Sequence, residues 1–275
     1  MQTDAWEDGD LYEPYVGRWS RGVASQFVDW LDVRSGGRWL DVGCGTGALS
    51  ETILVRAEPS EVHGIDQSEG FVKYAAQHLD DPRFEAKVGD ARSLPFDDAT
   101  FDAVVSGLVL NFIADQGGVA KELVRVASPG ATVAVYVWDY AGGMQMMRYF
   151  WDAAKDMDPA AREQDEGERF QDLASLKGLG GLFDLAGLTD VRSRSIDIPT
   201  IFRDFDDYWG PFLSGQGPAP AYCASLDEGK RAELRELLRV RLPTKSDGTI
   251  RLTARAWAVQ GRRPVADGDD ASATD

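Results

Sequence analysis

Histidine and cysteine are scarce in this 275-residue chain, with two of each. Cys44 and Cys223 are too few to staple a chain of this length, and neither lies in a CxxC or Cys/His spacing. A disulfide scaffold and a zinc module are therefore excluded, and a reducing, cytoplasmic setting is expected. His63 and His78 share no metal-ligand spacing, so structural or surface roles are expected of them and no metal is. Positive charge is also short: 29 basic residues face 46 acidic ones, a net charge of −17 that repels phosphate backbones and anionic membranes. Eight of the acids lie in Met1–Leu11 and Pro264–Asp275, which carry no base and little apolar surface. Both segments (1–11 and 264–275) are expected to be disordered tails. The chain also lacks a long hydrophobic run: the apolar stretch from Ala131 to Trp138 is far short of a membrane span. Neither nucleic acid nor membrane is expected as a partner, and the arginines between Arg231 and Arg241 alternate with Glu233 and Glu236 on what reads as a solvated helix face.

What remains is the composition of a globular protein, 43% hydrophobic and 10% aromatic. Short β-type runs, Arg38–Val42, Glu61–Ile65, Phe84–Val88, Phe101–Ser106 and Thr132–Trp138, alternate with helix-length segments. Such alternation predicts an α/β fold with a parallel sheet built from βαβ units. Val119, Leu123 and Val126 have helical spacing, ended by Ser128-Pro129-Gly130. After Trp138 the pattern changes. Met147, Phe150, Trp151 and Ala154 form one apolar helical stripe in a segment, 140–171, that reads as an insertion above the sheet. A helix over Ser175–Ala186 capped by Gly187 and a strand over Asp190–Ile198 come next. A second insertion, 202–249, carries Trp209, Phe212, a Gly217-Pro218-Ala219-Pro220 loop and an amphipathic helix with Leu234, Leu237, Leu238 and Leu242. Ile250–Val259 closes the sheet, giving one domain over 12–263.

The most informative segment is the junction of the first strand with Gly43-Cys44-Gly45-Thr46-Gly47. Glycines let the chain turn sharply and admit a ligand where a Cβ would obstruct it, while the next helix presents free amide groups. Gly43, Gly45 and Ala48 also satisfy the dinucleotide pattern, so nicotinamide or flavin binding is weighed. Three carboxylates bear on the choice. Asp41, two residues before the first glycine, suits an ammonium and would repel a pyrophosphate. Asp66 ends the second strand, where a carboxylate takes both ribose hydroxyls. Asp90, in Gly89-Asp90-Ala91, ends the third and suits an adenine amino group. A ligand with an amine, a ribose and an adenine but no phosphate matches all three. Cys44 reads as a small buried filler of the loop.

At these residues the chain resembles the class I S-adenosylmethionine-dependent methyltransferases, of the type that includes ubiquinone and menaquinone biosynthesis methyltransferases. Leu40-Asp41-Val42-Gly43-Cys44-Gly45-Thr46-Gly47 is similar to the family's first motif, Gly64-Ile65-Asp66-Gln67-Ser68 to its ribose motif, and Gly89-Asp90-Ala91 with Leu94-Pro95-Phe96 to its adenine motif. Phe101–Ser106 looks like the fourth strand, and Arg125–Trp138 like the approach to and body of the fifth. The likeness is ordered over Tyr12–Trp138 and fold-level beyond Asp139. It implies a doubly wound, seven-stranded, mostly parallel Rossmann-like sheet with an antiparallel last strand, and S-adenosylmethionine as cofactor with S-adenosylhomocysteine as product. It also implies roles: the loop of Gly43, Gly45, Thr46 and Gly47 under the methionine, Asp66 on the ribose, Gln67 beside the adenine, Gly89, Asp90 and Ala91 at its edge, Ser106 and Leu108 near the sulfonium. The segment Tyr12–Arg21 would fold over the cofactor, as part of the covering helices 12–36, with Arg18 meeting the methionine carboxylate.

Methyl transfer from a sulfonium is an in-line displacement, so holding the nucleophile in line carries much of the catalysis. If the acceptor is an alcohol, phenol or acidic carbon, Asp139 is the first candidate base, at the carboxyl end of the sheet, with Tyr140 and Asn111 as orienting groups. The competing reading of Asp139 is a cap of the following turn. Trp138, Met144, Phe150 and Trp209 are candidates to line the acceptor pocket, although the Met and aromatic group reads equally as core. The expectation is an enzyme acting on a small organic acceptor, with a regulatory or non-methylating protein on the same fold as the alternative and a nicotinamide oxidoreductase disfavoured by Asp41 and Asp90. Monomer and homodimer stay equally open.

Overall fold

The computed structural model describes residues 13–215 and 217–265. Apart from Pro264 and Val265, both expected tails lie outside the described residues. Within them one seven-stranded sheet is formed by β1 (Arg38–Val42), β2 (Glu61–Asp66), β3 (Phe84–Val88), β4 (Phe101–Gly107), β5 (Ala127–Trp138), β6 (Thr189–Phe202) and β7 (Ile250–Arg262), in the order β3-β2-β1-β4-β5-β7-β6. The pairs β1/β2, β1/β4, β2/β3 and β4/β5 are parallel, whereas β7 runs antiparallel to both β5 and β6. The sheet is the Rossmann-like arrangement expected, with the reversed last strand. Because β2 and β4 flank β1 on opposite sides, the carboxyl end of β1 opens a crevice at the switch point of the strand order.

The helices are α1 (Arg18–Leu31), α2 (Ala48–Arg56), α3 (Glu69–His78), α4 (Gln116–Val126), α5 (Gln145–Met157), α6 (Glu166–Arg169), α7 (Leu176–Leu185), α8 (Phe205–Trp209), α9 (Pro218–Ser225) and α10 (Glu228–Arg241). Strand residues alternate between two cores, as a period of two requires. Trp39, Ala103, Val105, Ala134 and Tyr136 meet Phe27 of α1 and Leu49 of α2 on one face. Leu40, Val42, Val104, Val133 and Val135 meet Leu123 of α4 and Phe183 of α7 on the other. Each buried valine, leucine or phenylalanine among them contributes about 1.5–3 kcal/mol relative to exposure. Central strands apolar on both faces are what a sheet covered on both sides demands.

Several boundaries differ from the sequence expectation for local reasons. α4 stops at Val126, just ahead of Ser128-Pro129-Gly130 as expected, but the tripeptide itself lies in β5 at a register irregularity opposite Phe101/Ala103, where a proline is tolerated. The Gly217-Pro218-Ala219-Pro220 segment is not a loop. Gly217 takes φ 90°, and Pro218 begins α9, a position whose missing N–H would have no helical partner. β6 runs on to Phe202, longer than expected, because its whole length pairs with β7.

The two segments after the fifth strand and after the sixth pack on one another as an aromatic cap over the sheet. Phe150 of α5 stacks on Phe212 at 4.4 Å between centroids and 11° between planes. Tyr15, on the π-helical turn Glu13–Gly17 before α1, meets Phe212 edge-on at 5.7 Å. Among the described residues no helix is long and apolar enough to cross a membrane.

Candidate functional site

The crevice at the end of β1 is a cavity whose wall is built from the strand ends inward. Gly43, Gly45 and Gly47 take φ values of 76°, 52° and 89°, the left-handed region open mainly to glycine. At Gly43 a Cβ would lie 2.7 Å from Val109, so the close approach of the loop to the segment after β4 also demands a glycine. At Gly45 nothing lies within 4 Å of that position, and the backbone faces the cavity bare. Gly47 lies at the helix entrance, with Leu79 against its would-be Cβ, and does not line the cavity. Its turn supports the loop instead. The Gly43 and Cys44 amides both donate to the Ile65 carbonyl, at 2.7 and 2.9 Å, which ties the loop to β2.

The carboxylates differ in state. Asp66 is 9% exposed; one oxygen accepts the Gly45 amide at 3.0 Å and the other the Ser68 amide at 2.9 Å, while burial raises its pKa. Asp41 is fully buried; Ser50 Oγ donates to one oxygen at 2.7 Å and the other has no partner among the described residues. Burial pushes its carboxyl up to about 7, with the nearby Asp66 charge adding to the rise. Asp90 is half-exposed and held below the usual range by Arg92, which pairs with it at 2.6 Å. Gln67, Gly89, Ala91 and Thr46 complete this polar end. The opposite end is formed by Val16, Ser20, Leu108, Phe112, Tyr136, Trp138 and Tyr140, none of them charged.

Of the residues singled out in the sequence, Asp41, Gly43, Gly45, Thr46, Asp66, Gln67, Gly89, Asp90, Ala91, Leu108, Trp138 and Tyr140 line this one cavity. Others do not. Arg18 donates to Asp207 Oδ1 at 3.1 Å and lies over the rings of Trp19 and Phe202, so the cap holds it away from the cavity wall. Ser106 is buried within β4, one residue short of the strand end, and Gly107 and Leu108 line the wall in its place. Asp139 accepts the Gly142 amide at 3.1 Å and caps the turn after β5. Met144, Phe150 and Trp209 are core of the cap, buried among aromatic neighbours. Asn111 is buried on the turn Leu110–Phe112 beside the lining residues Val109 and Phe112, outside the wall itself, with no partner for either amide atom among the described residues.

Val16 and Ser20, within the segment expected to fold over the cofactor, line the cavity, whereas Phe71, Val109, Phe112 and Tyr136 had no signal in the sequence, because side chains on a helix or past a strand end face a cavity only once the cap is placed. Leu108 was expected, but its φ of 64°, rare for a bulky residue and held by its amide donating to the Tyr136 carbonyl at 2.7 Å, was not readable. His63 sits between Glu61 and Glu85 on β2, and His78 stacks on Tyr74, both away from the cavity. Among the described residues no group of His, Cys, Asp and Glu could hold a metal.

The donor set suits a cationic nucleoside without phosphates. The unpartnered Asp41 oxygen calls for a hydrogen-bond donor, the bare Gly45 backbone leaves room for a close approach, and the one lining cation, Arg92, is taken by Asp90. A pyrophosphate at the loop would face Asp41 and Asp66.

Residues 40–135 match the family model of the methyltransferase domain. The chain is 32% identical over 182 residues to the 2-methyl-6-phytyl-1,4-hydroquinone methyltransferase of Synechocystis sp., covering 65% of this chain and 55% of that protein. It is 32% identical over 178 residues to the demethylmenaquinone methyltransferase of Bacillus subtilis, covering 60% of this chain and 76% of that one. A solved putative methyltransferase from Bacillus halodurans C-125 superposes with a TM-score of 0.60 at 14% identity, over 89% of this chain and all of that one. The [4+2]-cyclase SpnF superposes at 0.55 and 18% identity, over 96% and 88% of the two chains, a likeness of fold alone. With a relative 32% identical matched over three quarters of its length, the chain belongs to the class I S-adenosylmethionine-dependent methyltransferases, and S-adenosylmethionine is its cofactor.

Proposed function

We propose that the chain methylates an uncharged, phenolic aromatic acceptor of the hydroquinone class. The observation that carries this reading is the division of the cavity by strand order: the lining carboxylates belong to the ends of β1, β2 and β3, and the lining residues at the ends of β4 and β5, Leu108, Phe112, Tyr136, Trp138 and Tyr140, carry no charge. A charged acceptor would pay desolvation there without a counter-ion, while an aromatic ring meets rings and aliphatic surface. Both curated relatives named above act on hydroquinone- or menaquinone-type compounds by their names, which supports the same class. The charge of −17 argues against nucleic acid as the acceptor, and two buried free thiols suit a cytoplasmic setting.

In this reading Asp66 takes the ribose hydroxyls, Gln67 and Ala91 flank the adenine, Asp90 meets its amino edge, and the Gly43-to-Thr46 loop with Asp41 holds the methionine part. When bound, the cofactor supplies an electrophilic methyl group on a sulfonium that leaves as a neutral thioether. The chain's work is orientation: Gly107 and Leu108 line the wall at the end of β4, next to the β1 loop in the strand order, and the aromatic residues of the lining fix the acceptor. Fixing two reactants this way supplies a large part of the rate, up to about 7–11 kcal/mol of the barrier in favourable cases. Val16 and Ser20, from the turn and helix ahead of β1, roof the cavity and exclude water.

The test is turnover with 2-methyl-1,4-hydroquinone, kept reduced, in the presence of S-adenosylmethionine. Stoichiometric S-adenosylhomocysteine and a product heavier by one methylene unit are expected. Acceptor-independent loss of the cofactor, or turnover of carboxylate and ammonium acceptors only, contradicts the acceptor class. Binding of the cofactor with no turnover of any acceptor favours the regulatory or non-methylating alternative.

A further inference from the structure

β4 ends on a glycine that no turn conformation requires. Gly107 does not take a positive φ, unlike the three glycines of the β1 loop. The demand for a glycine comes from a neighbouring side chain: a Cβ at 107 would lie 2.6 Å from the Tyr136 hydroxyl oxygen, 2.7 Å from Cζ and 2.9 Å from Cε1. Gly107 and Tyr136 are register partners on β4 and β5. The Tyr136 ring thus lies across the bare end of the neighbouring strand, with its hydroxyl in the space that a side chain at 107 would fill.

The surroundings of that hydroxyl join the glycine loop to the uncharged wall. In the strand order β4 lies between β1, which carries the loop, and β5. Val109, two residues past Gly107, packs so closely on the loop that a Cβ on Gly43 would come within 2.7 Å of it. Gly43, Gly107, Val109 and Tyr136 all line the same cavity. Tyr136 is also fixed twice over. Phe27 of α1 lies 4.5 Å from its ring between centroids, and the Tyr136 carbonyl accepts the Leu108 amide at 2.7 Å, which holds the turn after Gly107. A tyrosine so placed keeps its ring in the core and carries a polar tip, beside lining neighbours, Leu108, Val109, Phe112 and Ile113, that are apolar.

We propose that Tyr136 determines acceptor specificity: its hydroxyl makes a hydrogen bond to an oxygen of the aromatic acceptor and so sets the ring in register with the sulfonium methyl. The inference rests on the phenolic acceptor class proposed above and names the group that recognises it. An apolar, aromatic wall alone accepts any flat ring of the right size; selecting a ring that bears a hydroxyl takes a polar group at a fixed place on that wall. A phenol suits the task because it can both donate and accept, and so meets an acceptor hydroxyl in either sense.

Gly107 and Tyr136 act as a pair in this account. The glycine leaves the space, and the tyrosine brings the only atom of its side chain that can form a hydrogen bond into that space, at the strand end beside the loop. A phenylalanine at 136 would keep the Phe27 contact, the backbone bond to Leu108 and the fit beside Gly107, so the hydroxyl can be removed without removing the ring.

Tyr136→Phe is the test, read by calorimetric titration of protein saturated with S-adenosylhomocysteine. Two probes are compared: 2-methyl-1,4-hydroquinone, kept reduced, and toluene, which has the same ring and methyl group without an oxygen. Equal heats of S-adenosylhomocysteine binding show that the variant is folded. The variant is expected to bind the hydroquinone about fivefold more weakly, as the loss of one hydrogen bond implies, and toluene within about twofold of the wild type. Its kcat/KM for the hydroquinone should fall by at least the same factor, with KM for S-adenosylmethionine unchanged. Unchanged affinity for the hydroquinone, an equal loss for both probes, or a loss of cofactor affinity in place of acceptor affinity overturns the proposal while leaving the function reading intact. A wild type that methylates no hydroquinone overturns the acceptor class, and this proposal with it.

Discussion

Asp66 and Asp41 both lie at the glycine loop, yet their surroundings give them different work. Asp66 is held by two backbone amides and, though largely buried, lines the cavity, so its charge is already organised for a second pair of donors. Replacing it by alanine removes hydrogen bonds to a charged acceptor, worth about 1.5–3 kcal/mol each. Asp66→Ala should weaken S-adenosylmethionine at least tenfold in a calorimetric titration; wild-type affinity would remove the ribose assignment. Asp41 is buried with one oxygen unpartnered. Its carboxyl binds a proton more tightly in the folded state, raised from 3.8 to about 7, so its contribution to stability is complete below pH 3.8 and is lost as pH rises toward 7. In cofactor-free protein, Asp41→Asn should therefore gain on the wild type between pH 4 and pH 8, by about 1–2 kcal/mol after structural relaxation. Parallel melting curves across that range would contradict the buried, unpaired carboxyl. Gly43→Ala forces φ 76° on a residue with a Cβ and drives that Cβ to 2.7 Å from Val109. A loss of about 2–3 kcal/mol in chemical denaturation is expected; a change under 0.5 kcal/mol would mean the loop relaxes freely.

At the scale of elements, the difference between what was and was not legible follows the range of the interactions. The strands from Arg38 to Trp138, the glycine turn and Asp66 are encoded within a few residues of one another, by apolar runs, glycines at a strand end and carboxylates at the next ones. Ser175 as the cap of α7 and Gly187 after it, at φ 81°, were equally local. The cap was not, because a Met and aromatic stripe has one pattern whether it faces a ligand or another helix. Phe150 meets Phe212, some sixty residues later, and so belongs to the core; nothing near it in sequence says so. Asp139 stands at a strand end as a base would, but the Gly142 amide three residues on claims its oxygen. Arg18 was expected at the methionine carboxylate and instead fastens α1 to α8 through Asp207. Arg18→Ala should thus destabilise the protein by about 1–2 kcal/mol, from a half-buried ion pair and two ring contacts, and leave cofactor affinity within about threefold. A tenfold loss of affinity with an unchanged melting temperature would restore the original role.

For the whole molecule, the sheet supplies a rigid carboxyl edge, the strand reversal at β7 completes it, and the turn Glu13–Gly17 with the cap segments closes the opposite side. One end of the cavity is acidic and polar, the other aromatic and uncharged, an arrangement that keeps a cationic donor and a neutral acceptor in separate, adjoining places. The fold alone does not dictate methyl transfer, as the likeness to a cyclase illustrates; the glycine loop and its carboxylates do. The central claim is therefore the identity of what the loop holds. Isothermal titration of the folded protein with S-adenosylmethionine, S-adenosylhomocysteine and NAD tests it most directly. Micromolar binding of both sulfur nucleosides and none of NAD is predicted, with Asp66→Ala losing the binding. Heat from NAD alone, or from none of the three, would contradict the account.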